Sequence, residues 1–291
     1  MGTTRGATTI RLALPKGRMQ EGVAALLTAA GVRVGATDRG YRPSVSLPGY
    51  EAKILKPQTI VEMLHHGSRD LGFAGADWVA ELDADVVELL DTALDPVRLV
   101  AAAPTCILED GRLPRRRLVV ASEYEHLTRR WIAGRELDAA LVRSHGATEV
   151  FPPEDADLIV DNTATGGTLQ ANGLRIVDEL MTSSTRLYAS RAALADPARR
   201  LAIDELALLL TAVLEARKRV MVEVNVPADR LQAVIAVLPC MREPTVSPLN
   251  GGAGYAVKSA VLRDELPRVI PAVKRAGGED LVVTAPAQIV R

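Results

Sequence analysis

The feature that most constrains the fold is an alternation. "TIRLALP" has the residues of a strand, and "MQEGVAALLTAAG" has helical period and ends at Gly31. "IVEMLHHG" continues as a helix and "DLGFAG" as a strand. "VRLVAAAP", "RLVVAS" and "DLIVD" are strands, "YEHLTRRWIAG" is a helix, and "TEVFP" is a short strand. Such alternation predicts an α/β fold with largely parallel sheets covered by helices. The run "DELALLLTAVLEARKR" places Leu206, Leu209, Leu210, Val213 and Leu214 on one helical face and ends in a basic turn. After Lys218 the pattern changes. "VMVEVNVP", "DRLQAVIAVL", "TVSPL", "YAVKSAVL", "ELPRVIPAVKRAG" and "LVVTAP" give β-α-β-β-α-β over about 70 residues, the ferredoxin-like order, which predicts a separate C-terminal module.

A chain of 291 residues exceeds what one core usually holds, so roughly two or three domains are expected. Lys and Arg total 35 and Asp and Glu 36, a net charge of −1, which points to neither a nucleic-acid partner nor a membrane. Any anion site must be local. Cys106 and Cys240 stand far apart without metal-ligand spacing, which argues against a disulfide framework and a zinc site. Free thiols suit a reducing cytosol. The opening "MGTTRGATTIRLALPKG" has no apolar core of a secretory signal, and "LALLLTAVL" is too short to span a bilayer. A cytoplasmic protein is expected.

The stretch with most chemical content is "VDNTATGGTL". Asp161 ends an apolar strand, where open α/β sheets present ligand contacts, and a carboxylate there can accept from two vicinal hydroxyls. Thr163, Ala164, Thr165, Gly166, Gly167, Thr168 and Leu169 then lead into a helix. Unpaired N–H groups at a helix start bind phosphate, glycines allow close approach, and the Thr hydroxyls add donors. The stretch suits a 5-phosphorylated ribose. An ordinary strand–turn–helix with a Thr cap would share the pattern. The loop lacks the Gly-Lys-Ser/Thr of a Walker A motif and the G-x-G-x-x-G spacing of a dinucleotide site.

In "LALPKGRMQEG", Lys16 and Arg18 precede a helix, where cations oppose the dipole, which favours an anion partner over a solvated N-terminal turn, the other reading of the stretch. "GSRDLGFAGADWV" carries Asp70, Gly75 and Asp77 at a strand leading into a ligand-facing loop or a tight turn. Glu149 in "GATEVFP" is an isolated acid, a type usually solvated. His65 and His66 cap or decorate a helix, and Arg115 to Arg117 form a solvated basic loop. In "MREPTVSPLNGGAGY", Thr245 and Ser247 belong to a strand edge or to a small-molecule pocket.

Taken in order, "LALPKGRM", "GSRDLGFAGADWV", "RLVAAAP", "GATEVFPPEDADLIVDNTATGGTLQANGL" and "PTVSPL" resemble the ATP phosphoribosyltransferases of histidine biosynthesis, in their long form. The chain departs from that pattern at Asn162, where the family often has an apolar residue, and at Gly167, where it often has Arg. Lys56 and Thr59 in "LKPQTIV" are further departures.

The resemblance implies two periplasmic-binding-protein-like catalytic domains, residues 1–97 with 183–212 and residues 98–182, crossed twice by the chain. It implies a C-terminal ACT-like regulatory domain, 217–291, that binds histidine as feedback inhibitor, with Asn225, Thr245 and Ser247 as candidate contacts. The implied reaction joins N1 of the ATP adenine to C1 of 5-phosphoribosyl 1-pyrophosphate and releases pyrophosphate. Mg2+ would be held mainly by substrate oxygens rather than by the protein. Asp161 and Lys16 would be catalytic, with Asp161 on the ribose hydroxyls. Thr163 to Leu169 would cradle the 5-phosphate, Lys16 and Arg18 would meet pyrophosphate or nucleotide phosphates, and Asp70, Asp77, Arg98 and Glu149 would line the cleft. Homo-oligomers from dimer to hexamer are expected. A solute-binding or sensor protein of the same topology and a catalytically silent regulatory paralogue are the competing classes.

Overall fold

The computed structural model describes residues 9–35 and 40–291. Its elements run β1 (Ile10–Pro15), α1 (Met19–Ala29), β2 (Tyr50–Leu55), α2 (Pro57–His65), β3 (Leu71–Gly75), α3 (Ala76–Glu81), β4 (Val86–Pro104), β5 (Leu118–Ser122), α4 (Glu125–Gly134), β6 (Ala139–Arg143), β7 (Leu158–Thr163), α5 (Gly167–Ala171) and β8 (Leu174–Ser190). The chain continues through α6 (Arg191–Ala195), α7 (Pro197–Lys218), β9 (Arg219–Val226), α8 (Leu231–Val237), β10 (Thr245–Pro248), β11 (Tyr255–Leu262), α9 (Leu266–Arg275) and β12 (Glu279–Thr284). "TEVFP", expected as a strand, is instead a single 3-10 turn, Thr148–Val150. Ala147 precedes it in the left-handed region at φ 49, which turns the chain out of an extended path.

The chain divides into two compact units, one running to Asp204 and one from Glu205 that also takes in Ala29–Gly31. The division falls inside α7, ahead of the expected start of the C-terminal module at 217.

The first unit holds one eight-stranded sheet in the order β2-β1-β3-β8-β4-β7-β5-β6. Within β2-β1-β3 and within β7-β5-β6 the pairing is parallel, as expected of α/β units. The expectation of a largely parallel sheet fails at the centre. There β8 is antiparallel to β3 and β4, and β4 is antiparallel to β7. The two long strands β4 and β8 thus run through the middle of the sheet in opposite directions. The expected lobe boundaries face one another across this ladder, Val97 opposite Ser183 and Arg98 opposite Thr182. Strand β3 is buried at every position, and Leu12, Ala13, Leu71, Phe73, Val120 and Ile159 are fully buried, because layers cover both sheet faces.

Asp70 stitches this sheet together and is a correction to its expected place in the cleft. It is fully buried. Its carboxylate accepts from the Arg11 backbone N–H (2.8 Å), Arg11 Nε (3.0 Å), Arg11 Nη2 (2.7 Å) and Arg199 Nη1 (3.1 Å). Burial pushes the carboxyl up, but the Arg11 hydrogen bonds and the two guanidinium charges outweigh it and hold it below the usual carboxylate range. That stability is present at neutral pH and is lost on acidification through the lowered value.

In the second unit a four-stranded sheet runs β10-β11-β9-β12, all antiparallel, the ferredoxin-like arrangement. Val220, Val222, Val224, Val257 and Val261 pack against Val234 of α8 and Val269 and Val273 of α9. The alternate residues, among them Glu223, Asn225, Lys258, Thr245 and Ser247, share the other face. No helix among the described residues is long and apolar enough to cross a membrane.

Asp70→Ala removes the partner of two guanidinium groups and is expected to cost about 3 kcal/mol in urea unfolding. The folded variant should keep the substrate KM values of the parent. Unchanged stability with a raised KM would return Asp70 to the substrate site.

Candidate active site

Leu158, Ile159 and Val160 are fully buried on β7, between β5 and β4. The strand then delivers Asp161, Asn162 and Thr163 to one end of the sheet. Thr163 Oγ1 accepts the Gly166 N–H at 2.9 Å and Thr165 Oγ1 accepts the Gly167 N–H at 3.4 Å, so two of the three expected hydroxyls shape the loop itself. Gly166 sits at φ 84, a conformation side chains rarely adopt, and turns the chain into the single-turn helix α5. The N–H groups of Ala164, Thr165, Thr168 and Leu169 have no acceptor among the described residues. They border a cavity of about 280 Å³ lined by Arg18, Glu149, Asp161 to Thr165, Gly167, Thr168 and Leu169.

This cavity gathers most of the residues singled out from the sequence, drawn from β7, its loop, the 3-10 turn carrying Glu149, and the start of α1. Lys16 is not among its lining residues; its Nζ lies 5.8 Å from the centre of the Tyr41 ring. Arg98 pairs with Glu179 at 3.2 Å on the exposed middle of β4 and does not line the cavity either.

Asp161 is the electrostatic centre. Burial pushes its carboxyl up to about 6, helped by the nearby Glu149 and Glu123 charges and opposed by the Asn162 N–H, which donates to Oδ1 at 2.7 Å. Excess negative potential next to unpaired N–H groups suits a ligand with a phosphate at one end and a cationic or hydroxylated part at the other. Among the described residues no group of three or more His, Cys, Asp or Glu side chains is placed to hold a metal.

Asp77 corrects a second expectation. It is buried and does not line the cavity. Oδ1 accepts from Ser183 Oγ at 2.7 Å and Oδ2 from Tyr124 Oη at 2.6 Å, while Asn162 Nδ2 donates to Tyr124 Oη at 2.7 Å. Trp78 stacks on the Tyr124 ring, centroids 4.6 Å apart. One turn along α3, Glu81 accepts from the His126 and Leu127 N–H groups at the start of α4, at 2.8 and 2.9 Å. Sequence reading missed Tyr124, Ser183 and Glu81. They are 47, 106 and 45 residues from the partners they meet, and no local pattern marks such pairs.

The second unit has its own cavity, about 860 Å³, bordered by Arg219, Arg242, Thr245, Lys258 and Arg291 among others. Thr245 lines it, whereas Asn225 and Ser247 lie on the same sheet face outside it, with Asn225 Nδ2 donating to Asp280 at 3.3 Å.

The model described as HisG: ATP phosphoribosyltransferase matches residues 56–212, and that described as HisG, C-terminal domain matches residues 216–285. The chain is 40% identical over 280 residues to an ATP phosphoribosyltransferase of Desulforudis audaxviator, covering 94% of this chain and 96% of that one. The chain belongs to the ATP phosphoribosyltransferase family. A family member from Pelotomaculum thermopropionicum is 37% identical over the same shares of both chains. Among solved structures, an ATP phosphoribosyl transferase (HisG:HisZ) complex from Thermotoga maritima superposes with a TM-score of 0.61 at 25% identity, covering 70% of this chain and 99% of that one. The family's activity makes this chain a pentosyltransferase of histidine biosynthesis, and the competing binding-protein and silent-paralogue readings fall away.

Holding Asp161 ionised in a buried site costs stability. The folded protein binds this proton more tightly than the unfolded chain, so the cost is present above pH of about 6 and disappears as pH falls toward the ordinary carboxylate range. Asp161→Asn should therefore raise unfolding free energy near neutral pH by about 1–3 kcal/mol, with the gain closing on acidification. The same variant should lose roughly ten- to a hundred-fold in kcat/KM, the worth of a charge-assisted hydrogen bond of about 1.5–3 kcal/mol. Full activity in a well-folded Asp161→Asn protein would remove the carboxylate from the mechanism.

Proposed function

We propose that the cavity around Asp161 is the phosphoribosyl site. The observation that carries this reading is a single one: a carboxylate of raised pKa stands at a strand end, directly before a Gly166 turn that leaves four N–H groups unpaired. The 5-phosphate of 5-phosphoribosyl 1-pyrophosphate takes those N–H groups and the Thr168 hydroxyl. Asp161 accepts from the ribose hydroxyls. Arg18, which lines the cavity, meets pyrophosphate or the nucleotide phosphates, as does Lys16, two residues before it in the chain.

The N1 lone pair of the ATP adenine attacks C1, the new N1–C1 bond forms as the C1–oxygen bond to pyrophosphate breaks, and the configuration inverts. No covalent nucleophile is needed. This chain's part is to hold both substrates in line and to place negative charge beside a pentose that becomes cationic as the bond breaks. Asp161 and Glu149, with Glu123 acting at longer range, supply that charge. Mg2+ would be held mainly by substrate oxygens, since among the described residues no group of three or more His, Cys, Asp or Glu side chains is placed to hold it. When bound, Mg2+ neutralises the leaving pyrophosphate.

The C-terminal module reads as the ACT-like histidine sensor. The support is that Asn225, Thr245 and Ser247 share the open sheet face. Histidine favours an assembly, dimer or hexamer, in which the catalytic cavity is less competent. The exposed free thiols of Cys106 and Cys240 suit the cytoplasm.

ATP, 5-phosphoribosyl 1-pyrophosphate and Mg2+ mixed with the purified chain should release pyrophosphate and build the absorbance of the N1 adduct. Gly166→Val should weaken 5-phosphoribosyl 1-pyrophosphate at least ten-fold while changing ATP little, because a β-branched residue strains the turn that presents the N–H groups. Separate titrations decide it, and equal losses for both substrates would count against a phosphate loop here. Millimolar histidine should slow the full-length enzyme through a coupling of about 1–3 kcal/mol, and Asn225→Ala with Thr245→Ala should relieve it. A rate indifferent to histidine would end the regulatory reading.

A further inference from the structure

Main-chain pairing on one flank of β7 stops just short of Asp161. The parallel register with β5 ends at Val160 opposite Ser122, whereas on the other flank pairing with β4 continues to Thr163 opposite Arg98. Side chains from the β5–α4 turn take over where the ladder with β5 ends. Ser122 Oγ donates to the Val160 carbonyl at 2.6 Å, and Tyr124 Oη accepts from Asn162 Nδ2 at 2.7 Å. The residues on either side of Asp161 are thus tied to one turn. Ser122 Oγ also accepts the Tyr124 N–H at 2.9 Å, which joins the two ties to each other.

Consecutive strand residues take opposite faces of a sheet. Val160 packs with Leu99 and Tyr124, and Ile159 with Val100 and Leu169. Asn162 therefore shares the Tyr124 face, and Asp161 the other. The direction of the Asn162 bond is fixed from Asp77, whose Oδ1 accepts from Ser183 Oγ and whose Oδ2 accepts from Tyr124 Oη. That commits the one phenol proton. Burial, then the Asp77 charge, pushes the phenol far above its ordinary range, so Tyr124 Oη can only accept from Asn162. What the anchored residue offers Asp161 is its backbone N–H, which donates to Oδ1 at 2.7 Å. Among the described residues this is the one protein hydrogen bond to that carboxylate.

We propose that Asn162 is a positioning residue for Asp161: its side chain, held by Tyr124, fixes the backbone N–H that holds one Asp161 oxygen, and so sets how the carboxylate meets the pentose. Tyr124 acts through Asn162, and Asp77 through Tyr124. The inference rests on Asp161 serving the pentose, and it gives the Asn162 side chain no contact with substrate. Without the anchor, the peptide between 161 and 162 is free to turn and the carboxylate loses its donor. A displaced catalytic group forfeits part of the advantage of proximity. Loss of a donor to the charged form also pushes the carboxyl further up. Glu149 and Arg18 share the cavity with Asp161, and the Glu123 charge reaches it from the end of β5; all three stay unchanged in every protein compared in the test.

The test is a double-mutant cycle on the full chain. It follows kcat/KM for 5-phosphoribosyl 1-pyrophosphate, with ATP and Mg2+ saturating, from about pH 5 to about pH 9. Dividing each protein's value by that of its Asp161→Asn counterpart cancels the titration of the substrates and leaves that of Asp161. The wild-type ratio should rise with a midpoint near the Asp161 value of about 6. In Asn162→Leu, close to Asn in shape, the plateau should fall about five-fold and the midpoint should move up by about half a unit or more. Asn162→Leu should cost nothing further once Asp161→Asn is present. Tyr124→Phe should move the midpoint the same way and add nothing to Asn162→Leu. Thermal unfolding of each variant separates lost positioning from lost fold, and Tyr124→Phe decides the matter if Asn162→Leu does not fold. A residue that only packs would lower kcat/KM equally in both backgrounds and leave the midpoint in place. If Asp161→Asn is impaired and neither folded variant moves the midpoint, this inference fails alone. If Asp161→Asn keeps the wild-type kcat/KM across the range, the role of Asp161 at the pentose fails and this inference with it.

Discussion

The pairing of β4 with β8 is the constraint on which the first unit depends. These strands, of 19 and 17 residues, run antiparallel from Val86 opposite Ser190 to Pro104 opposite Leu174. On one side β8 receives the block β2-β1-β3, and on the other β4 receives β7-β5-β6. The register is interrupted in several places, and Ala93 and Asp95 adopt positive φ near the middle of β4, so the pairing is irregular there. Through this ladder β7, which carries Asp161, is held in one sheet with β1, which leads to Arg18.

Side-chain carboxylates reinforce the same junction. Asp77 and Glu81 stand one turn apart on α3 and so share a face. Asp77 reaches Tyr124, while Glu81 accepts the first N–H groups of α4, where a negative charge also meets the positive end of a helix. Asp70 does comparable work between β1, β3 and α7 through Arg11 and Arg199. Buried acids of this kind are worth most when every oxygen is engaged, because an orphaned one would cost more than the pair contributes. Asp161 is the exception: apart from one backbone N–H, its oxygens lack protein partners among the described residues, and burial, with the Glu149 and Glu123 charges, pushes its carboxyl up. The protein pairs the carboxylates of Asp70, Asp77 and Glu81 and leaves that of Asp161 largely unpaired.

Local pattern made much of this legible. The strands and helices of both units follow from apolar periodicity, since a buried strand and an amphipathic helix differ in spacing that a single chain displays. The loop after β7 stood out because its ingredients are contiguous, a strand end, glycines and hydroxyl residues within ten positions, and one cavity is lined by nearly all of them. Acids read one at a time fared differently. Asp70, Asp77 and Glu149 look alike in sequence. Only Glu149 lines the cavity, because only packing decides which of them meets a guanidinium or a phenol before it meets a ligand.

By itself, then, the sequence determined the α/β alternation, the ferredoxin-like module after Lys218, the glycine turn at Gly166 and, through five separated motifs, the family. Each is encoded by residues near one another in the chain. The tertiary structure decided the antiparallel crossing at the centre of the sheet, the retirement of Asp70 and Asp77 into the interior, and the orientation of the Asn162 amide. Those outcomes depend on partners many tens of residues away, Ser183 being 106 positions from Asp77, and hydrogen-bond direction is a property of the whole connected chain of donors and acceptors rather than of any one residue in it.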